Sequence, residues 1–420
     1  RASAGERPDV IVVNTCSVTE EADKKCRQTI RSFHRRWPQA AIVVTGCYAQ
    51  LKPAEVAAIE GVEIVAGNDR KGRLAEFIEQ WTAEHREHVE VVPTQQLRGF
   101  TPSCARGDRT RCFLKVQDGC DYWCTYCTIP AARGRSRSGT IDTLVAQAEQ
   151  AAREGAREIV ITGVNIGDFG RRTADADEQR PRGKRAVTEP RPTLLDLLRR
   201  LDAVEGIDRY RISSIEPNLL TDEIIGFCAT SARFMPHFHI PLQSGSDEVL
   251  RLMHRHYDTA LFRHKIERIR ALMPDAFIGV DLICGARGET REEFERSREF
   301  VESLPITRLH IFPYSERPGT KALEIAHSVS REEKHRRVGE MMRVSEHKME
   351  AFARRYTGTV RPVLLEHSRP GEPMGGFTDN YLKVSVDAPE GMDNRIVPVR
   401  LLETIKDETG DITFKATLEI

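Results

Sequence analysis

Between residues 100 and 345 the chain repeats one rhythm. Six short β-rich runs, at 112–117, 158–163, 209–214, 237–242, 277–283 and 308–313, are separated by helical stretches. Strands that alternate with helices pair in parallel, because each connection must cross the sheet and its helix covers a face. Six consecutive βα units predict an open, partial (βα)6 version of the (βα)8 barrel, with its working loops at the carboxyl ends of the strands. The helices carry local signals of their own. Over 140–154, Leu144, Val145, Ala148, Ala151 and Ala152 share one face and Gly155 follows as a stop, while Thr290 with Glu293 forms a capping box.

A shorter alternation precedes it. Runs at 9–15, 41–46 and 62–66 read as strands, and 20–37, 53–59 and 71–85 as helices, so 1–98 is predicted to be a parallel α/β domain. It opens on a strand and without Met, as though an earlier βα unit belonged in front. From about 354 the helical period ends. Leu382, Val384 and Val386 alternate, as do Ile412, Phe414 and Ala416, which predicts a small antiparallel β-barrel over 354–420. The fold class is therefore α/β, in three units: 1–98, 104–345 and 354–420. One segment, 171–192, breaks the rhythm with charge and proline; it is expected to be a solvated insertion, with an RNA-contacting loop as the alternative.

Composition narrows the class of function. The 63 basic and 63 acidic side chains cancel, which leaves nucleic acid open because RNA binding depends on local patches. No apolar run approaches the ~20 residues that span a bilayer. No apolar signal segment opens the sequence, so a cytoplasmic protein without a membrane partner is expected. Ten cysteines in 420 residues are too sparse for a disulfide scaffold and point to metal binding or reactivity.

Three of them, Cys120, Cys124 and Cys127, form C-x3-C-x2-C in the loop directly after the first barrel strand. Thiolates so spaced can each hold one iron of a [4Fe–4S] cluster and leave the fourth iron open. A zinc knuckle is the alternative, and would need a fourth ligand such as Cys104 or Cys112. Cys16 and Cys47 each follow a predicted strand, so a parallel sheet would bring them together at its carboxyl edge. Two ordinary buried cysteines are the bland alternative. Cys26, Cys104, Cys112, Cys228 and Cys284 are expected to be packing residues.

Strand alternation adds candidates. In His237-Phe-His-Ile-Pro-Leu-Gln243, Phe238, Ile240 and Leu242 should face the helices, and His237, His239 and Gln243 the barrel interior. The histidines could equally be hydrogen-bonded core residues. Gln243 and Ser244, at the strand end, are the stronger site candidates. Arg133, Arg135 and Arg137 put three guanidiniums beside the cysteine loop, as a phosphate grip or as a solvated charged loop.

At these residues the chain resembles the radical S-adenosylmethionine (SAM) methylthiotransferases over nearly all of its length. The C-x3-C-x2-C loop is like the superfamily's own. Val13-Asn-Thr-Cys16 and Thr45-Gly-Cys47-Tyr-Ala-Gln50 resemble the family's N-terminal domain, and Gly376-Phe-Thr-Asp-Asn-Tyr381 resembles its RNA-binding TRAM module. Thr128-Ile-Pro-Ala-Ala-Arg-Gly-Arg-Ser-Arg-Ser138 is most similar to the branch that adds a methylthio group to C2 of N6-threonylcarbamoyladenosine at tRNA position 37. Sister branches act on isopentenyladenosine at that position or on a ribosomal protein.

The resemblance implies two [4Fe–4S] clusters, SAM, tRNA engaged at its anticodon loop, an external electron donor and a monomer. Cys120, Cys124 and Cys127 would hold the cluster whose open iron chelates SAM. Cys16 and Cys47 would hold the auxiliary cluster, whose third family ligand lies upstream; here none of the 15 residues before Cys16 is cysteine. SAM would be met by Tyr126 near the adenine, Gly163 and Asn165 near the methionine amine, Ser214 and Glu216 near the ribose, Gln243 and Ser244 on strand four, and the Gly285 backbone near the adenine. Ala286-Arg287 stands where the family has Phe-Pro. The competing class is a non-catalytic, metal-bearing RNA-binding protein, which would not explain six βα units with polar strand ends.

Overall fold

The computed structural model describes residues 6–86, 88–105, 110–171, 191–369, 371–407 and 411–419. Most of the charged segment at 171–192 therefore lies outside the described residues.

The first unit is a four-stranded parallel sheet in the order β1 (Val10–Thr15), β2 (Ala41–Gly46), β3 (Val62–Ala66), β4 (His88–Glu90). β2 is buried along its whole length because helices cover both faces. Ile42 and Val44 pack with Ile30, Tyr48 and Val56 on one side, and Val43 with Ile64 and Phe77 on the other. The short β4 carries too little apolar pattern to be legible in sequence. β1 and β2 run in register, with Thr15 opposite Gly46. The next residue of each strand is a cysteine.

The six predicted barrel strands all form: β6 (Cys112–Lys115), β9 (Glu158–Thr162), β10 (Arg209–Ile212), β11 (His237–Gln243), β12 (Phe277–Cys284) and β13 (Arg308–Pro313). They are parallel and adjacent in chain order. β6-β9-β10 and β11-β12-β13 are two sheets joined by the isolated bridges Tyr210–Phe234 and Ser214–His239. The barrel is open, and β5 (Ser103–Ala105) lengthens its β6 edge in the antiparallel sense. Cys104 and Cys112, expected as separate packing residues, are instead paired as a disulfide between β5 and β6. A two-residue ribbon, β7 (Gln117–Asp118) and β8 (Arg137–Ser138), stands over the mouth.

The C-terminal unit is a closed barrel in the order β14 (Val360–Leu365), β15 (Met374–Thr378), β16 (Lys383–Val386), β18 (Ile412–Leu418), β17 (Ile396–Lys406). It corrects the antiparallel expectation in one place: β16 and β18 pair in parallel, which closes the ring. Its β15–β16 turn docks on the base of the larger barrel. Arg211 is 1% exposed and pairs with Glu158 at 2.9 Å, while donating to the carbonyls of Thr378 and Asp379 at 2.8 Å each. Removing one partner from such a dry pair would strand the other.

The strand-four histidines take different surroundings. Phe238, Ile240 and Leu242 are buried toward the helices and the histidines point inward, as alternation predicts. His237, however, sits at the base against the rings of Tyr381 and Phe277, and burial holds its pKa well below the ordinary histidine range. His239 is higher, 2.6 Å from Asp281 and stacked on His310.

Candidate active site

β6 delivers the chain to a loop that closes in little space. Gly119 has φ +72°, and a Cβ there would lie 2.0 Å from the Arg135 carbonyl oxygen, so this turn needs glycine. Gln117, fully buried, locks the loop. Its Nε2 donates to the Asp118 and Gly119 carbonyls and to Ser136 Oγ, and its Oε1 accepts from Val164 and Asn165 N–H. Cys120, Cys124 and Cys127 follow, and Thr125 pins the loop to the carbonyls of Leu252 and Met253.

The three thiols stand in a dry environment. Burial pushes Cys120 up to about 12, Cys127 up to about 11, and Cys124 upward as well. Sulfur in such a place becomes thiolate only beside a strong cation, which iron would supply. Among the described residues no three Cys, His, Asp or Glu side chains converge on one point, as a mononuclear zinc site would require. A cluster takes each thiolate on a different iron, so this donor set fits it.

Asn165 supplies a second sign of fit. It is 3% exposed, its Nδ2 lies 3.9 Å from Cys120 Sγ, and its Oδ1 has no hydrogen-bond partner. An unpaired buried acceptor beside the cysteine loop is suited to a ligand ammonium group. Gly163 has a nearer reason to be glycine than cofactor approach. A Cβ there would meet Ile166 Cγ2 at 2.8 Å and the Gln117 carbonyl oxygen at 3.0 Å.

The residue that sequence reasoning missed is Arg255, two residues ahead of Tyr257 in the turn between the helices Asp247–Leu252 and Thr259–Leu272. Its side chain is 3% exposed. Nη1 lies 3.1 Å from Cys124 Sγ, Nε 3.0 Å from the Tyr257 hydroxyl, and Nη2 pairs with Glu216. Glu216, proposed from sequence to meet a ribose, thus already has a partner; burial raises its pKa and Arg255 opposes the rise. The only trace of Arg255 in the sequence is the basic run Arg251–His256, indistinguishable from a solvated face.

The other candidates divide. Tyr126 sits among Val249, Met253, Ala286, Tyr314 and Ala322, with its hydroxyl 3.5 Å from Arg255 Nη1. Gln243 ends β11 at a bulge with φ +66°, half-buried. Ser214 is exposed at the bridge between the two sheets. Ser244 is fully buried and its Oγ accepts from the Ser246 N–H, so it shapes a turn. The Gly285 N–H is spent on Glu289 Oε2 at 2.6 Å, which leaves that amide unable to pair with an adenine.

The arginine triplet separates too. Only Arg135 is exposed. Arg137 is 5% exposed and donates to the carbonyls of Gly99, Arg133 and Arg135 and to Asp118, so it is removed from any RNA contact. Arg133 points the other way, its Nε 3.2 Å from Cys47 Sγ. That contact links the two cysteine sites. The helix Ile129–Arg133 starts two residues after Cys127 and ends on Arg133, while Asn68 Nδ2 and Thr128 Oγ1 tie the units together through the carbonyls of Ala132 and Ser17. Cys47 is buried and Cys16 exposed; Cys26 turns its Sγ to the Cys16 carbonyl at 3.5 Å.

A partial parallel barrel with three thiols after its first strand and polar groups at its other strand ends defines the radical SAM class of enzyme. The Radical SAM superfamily matches residues 114–301, and the uncharacterized protein family UPF0004 matches residues 1–67. Among solved structures, the radical SAM methyltransferase TsrM from Kitasatospora setae, with cobalamin and a [4Fe–4S] cluster, shares the fold. The TM-score is 0.53 at 15% identity, over 76% of this chain and 64% of that one.

The family is closer still in sequence. The chain is 37% identical to the threonylcarbamoyladenosine tRNA methylthiotransferase MtaB of Bacillus subtilis, over 94% of this chain and 86% of that protein. It is 33% identical to the MtaB of Aquifex aeolicus, over 90% and 87% respectively. A tRNA-2-methylthio-N(6)-dimethylallyladenosine synthase of Syntrophobacter fumaroxidans is 31% identical, over 94% and 85%. The chain belongs to the radical SAM methylthiotransferases.

Proposed function

We propose that the enzyme converts N6-threonylcarbamoyladenosine, at position 37 in the tRNA anticodon loop, to its 2-methylthio derivative. The observation that carries this reading is the junction of two cysteine sites at one place: Arg133, six residues beyond Cys127, hydrogen-bonds Cys47 across the domain boundary. A reaction that joins sulfur to an unactivated carbon needs both sites within reach of one substrate.

Cys120, Cys124 and Cys127 would hold a [4Fe–4S] cluster, and Cys16 and Cys47 would contribute to a second. With SAM bound, these groups supply a methyl group, sulfur and radical abstraction of hydrogen, given electrons from an external donor. The chain's own residues prepare the place. Gln117 fixes the cysteine loop against the end of β9, Asn165 Oδ1 offers an acceptor to the SAM ammonium, and Arg255 holds positive charge against Cys124. Arg133 does the same for Cys47. Burial of these groups keeps solvent and stray hydrogen donors away from the reacting centre, which limits side reactions of a radical. Arg135, exposed on the cysteine loop, offers phosphate contact, and the closed C-terminal barrel is read as the TRAM-like module that helps hold the RNA. The reaction belongs in the cytoplasm, where tRNA is found.

The test is anaerobic reconstitution with iron, sulfide and SAM, followed by mass spectrometry of nucleosides from treated tRNA. Conversion of threonylcarbamoyladenosine to its methylthio form is expected. Conversion only of dimethylallyladenosine would move the enzyme to the sister branch, and absence of 5′-deoxyadenosine would return it to the non-catalytic class.

A further inference from the structure

Between the first unit and the β6–β9 edge of the barrel lies a cavity of about 490 Å³, within the range of ~300–1,000 Å³ usual for ligand pockets. Asn68, Lys71, Lys115, Asp118, Arg133 and Gly163 line it, so it opens beside both the Cys47 edge and the end of β9. Its charge is unbalanced. Asp118 alone serves three cations: Lys115 at 2.8 Å, Arg137 at 3.3 Å and Arg133 at 3.6 Å. Lys71 is left with one neutral partner, Asn14 Oδ1 at 3.0 Å, and among the described residues it has no carboxylate within ion-pair distance. Asp69, also on the lining, is engaged with Arg70 at 3.6 Å. The buried Oδ1 of Asn68 has no partner. Burial, with Arg133 and Lys115 nearby, lowers Lys71 to about 8. A half-buried lysine surrounded by cations gains most when an anion enters.

The two substrates of the relatives differ in this respect. A threonylcarbamoyl group ends in a carboxylate and also bears hydroxyl and N–H donors; a dimethylallyl group is a hydrocarbon. We propose that this cavity receives the N6 substituent of the target adenine, with Lys71 and Lys115 binding its carboxylate, and so selects the anionic substituent over the apolar one. The proposal rests on the substrate assigned above and goes beyond it by naming the residues that discriminate. Asn68 Oδ1 is placed to accept from the substituent's hydroxyl or N–H.

The experiment compares two tRNAs that differ only at the threonyl carboxyl, one free and one converted to its methylamide. The readout is the ratio of their kcat/KM values with the same enzyme preparation, so partial loss of folded protein cancels. The wild type is expected to favour the free carboxylate by about 10- to 100-fold, the scale of a charge-assisted pair at a buried site. Lys71→Met should bring the ratio close to one, Lys71→Arg should retain most of it, and Lys115→Met serves as the second variant if Lys71→Met does not fold. Equal use of the two tRNAs by the wild type would overturn the proposal while leaving the substrate assignment standing. So would a Lys71→Met enzyme slowed equally on both, the behaviour of a backbone-phosphate contact. A wild type that used neither, yet acted on dimethylallyl tRNA, would remove the substrate assignment and the proposal together.

Discussion

The two cysteine sites are built by opposite means. Cys120, Cys124 and Cys127 share one eight-residue loop, and their relative positions are set by local turns, by Gly119 and by the Gln117 amide. Cys16 and Cys47 are 31 residues apart and come to the same sheet edge only because β1 and β2 pair in parallel with Thr15 opposite Gly46. The first site needs a short stretch of chain; the second needs a folded sheet. Their electrostatics differ as well. Cys124 lies against a fully buried guanidinium already paired to Glu216, whereas Cys47 lies against Arg133, whose nearest carboxylate, Asp118, is shared with two other cations. The loop site is thus closed and neutralised, and the edge site stays cationic and open to an anionic guest.

That contrast can be broken or sharpened by substitution. The largest effect is expected from Cys124→Ala, which should abolish SAM cleavage and remove the iron of the loop site; 5′-deoxyadenosine formation and iron content check it. Cys47→Ala should separate the sites: methylthio transfer is lost while 5′-deoxyadenosine still forms. If both activities vanished together, the sites would not be independent.

Arg255→Met comes next. It strands Glu216 in a dry pocket, which typically costs about 3–5 kcal/mol when a buried pair loses one partner. Denaturant unfolding of the cluster-free protein would show it, and Arg255→Met with Glu216→Gln should recover part of the loss.

Glu289, five residues after β12 and held by Gly285 N–H and Arg337, gives a pH signature. Burial pushes its carboxyl up to about 7 despite Arg337 at 2.7 Å. The folded state then holds a proton that the unfolded state releases, so stability is greatest below the unfolded pKa near ~4.3 and falls as pH rises toward about 7. Glu289→Gln should flatten that decline by about 3–4 kcal/mol at most, measured as unfolding free energy against pH. The smallest effect belongs to Arg135→Ala, which should leave SAM cleavage intact and lower the salt dependence of tRNA binding by about one phosphate contact.

The same contrast explains how much was legible in the sequence. The loop site could be read directly because its spacing is local, and the barrel because each strand carries its own period. That β1 and β2 end side by side, each followed by a cysteine, was legible one step removed, through the inference of a parallel sheet. What stayed hidden depends on tertiary contact. Arg255 sits in a basic run and its burial comes from the packing of three separate loops. Arg133 and Arg137 looked alike in sequence, yet the ribbon of β7 and β8 buries one and the domain boundary turns the other toward a thiol. Ser244 and Gly285 sit at strand ends as expected, but local turns consume their polar groups.

The most direct test removes the loop site entirely. In the triple variant Cys120→Ala, Cys124→Ala, Cys127→Ala, reconstituted without oxygen, SAM cleavage should vanish while iron-linked absorbance falls relative to the wild type. A triple variant that still cleaved SAM, or a wild type that took up zinc and showed no iron absorbance, would contradict the account.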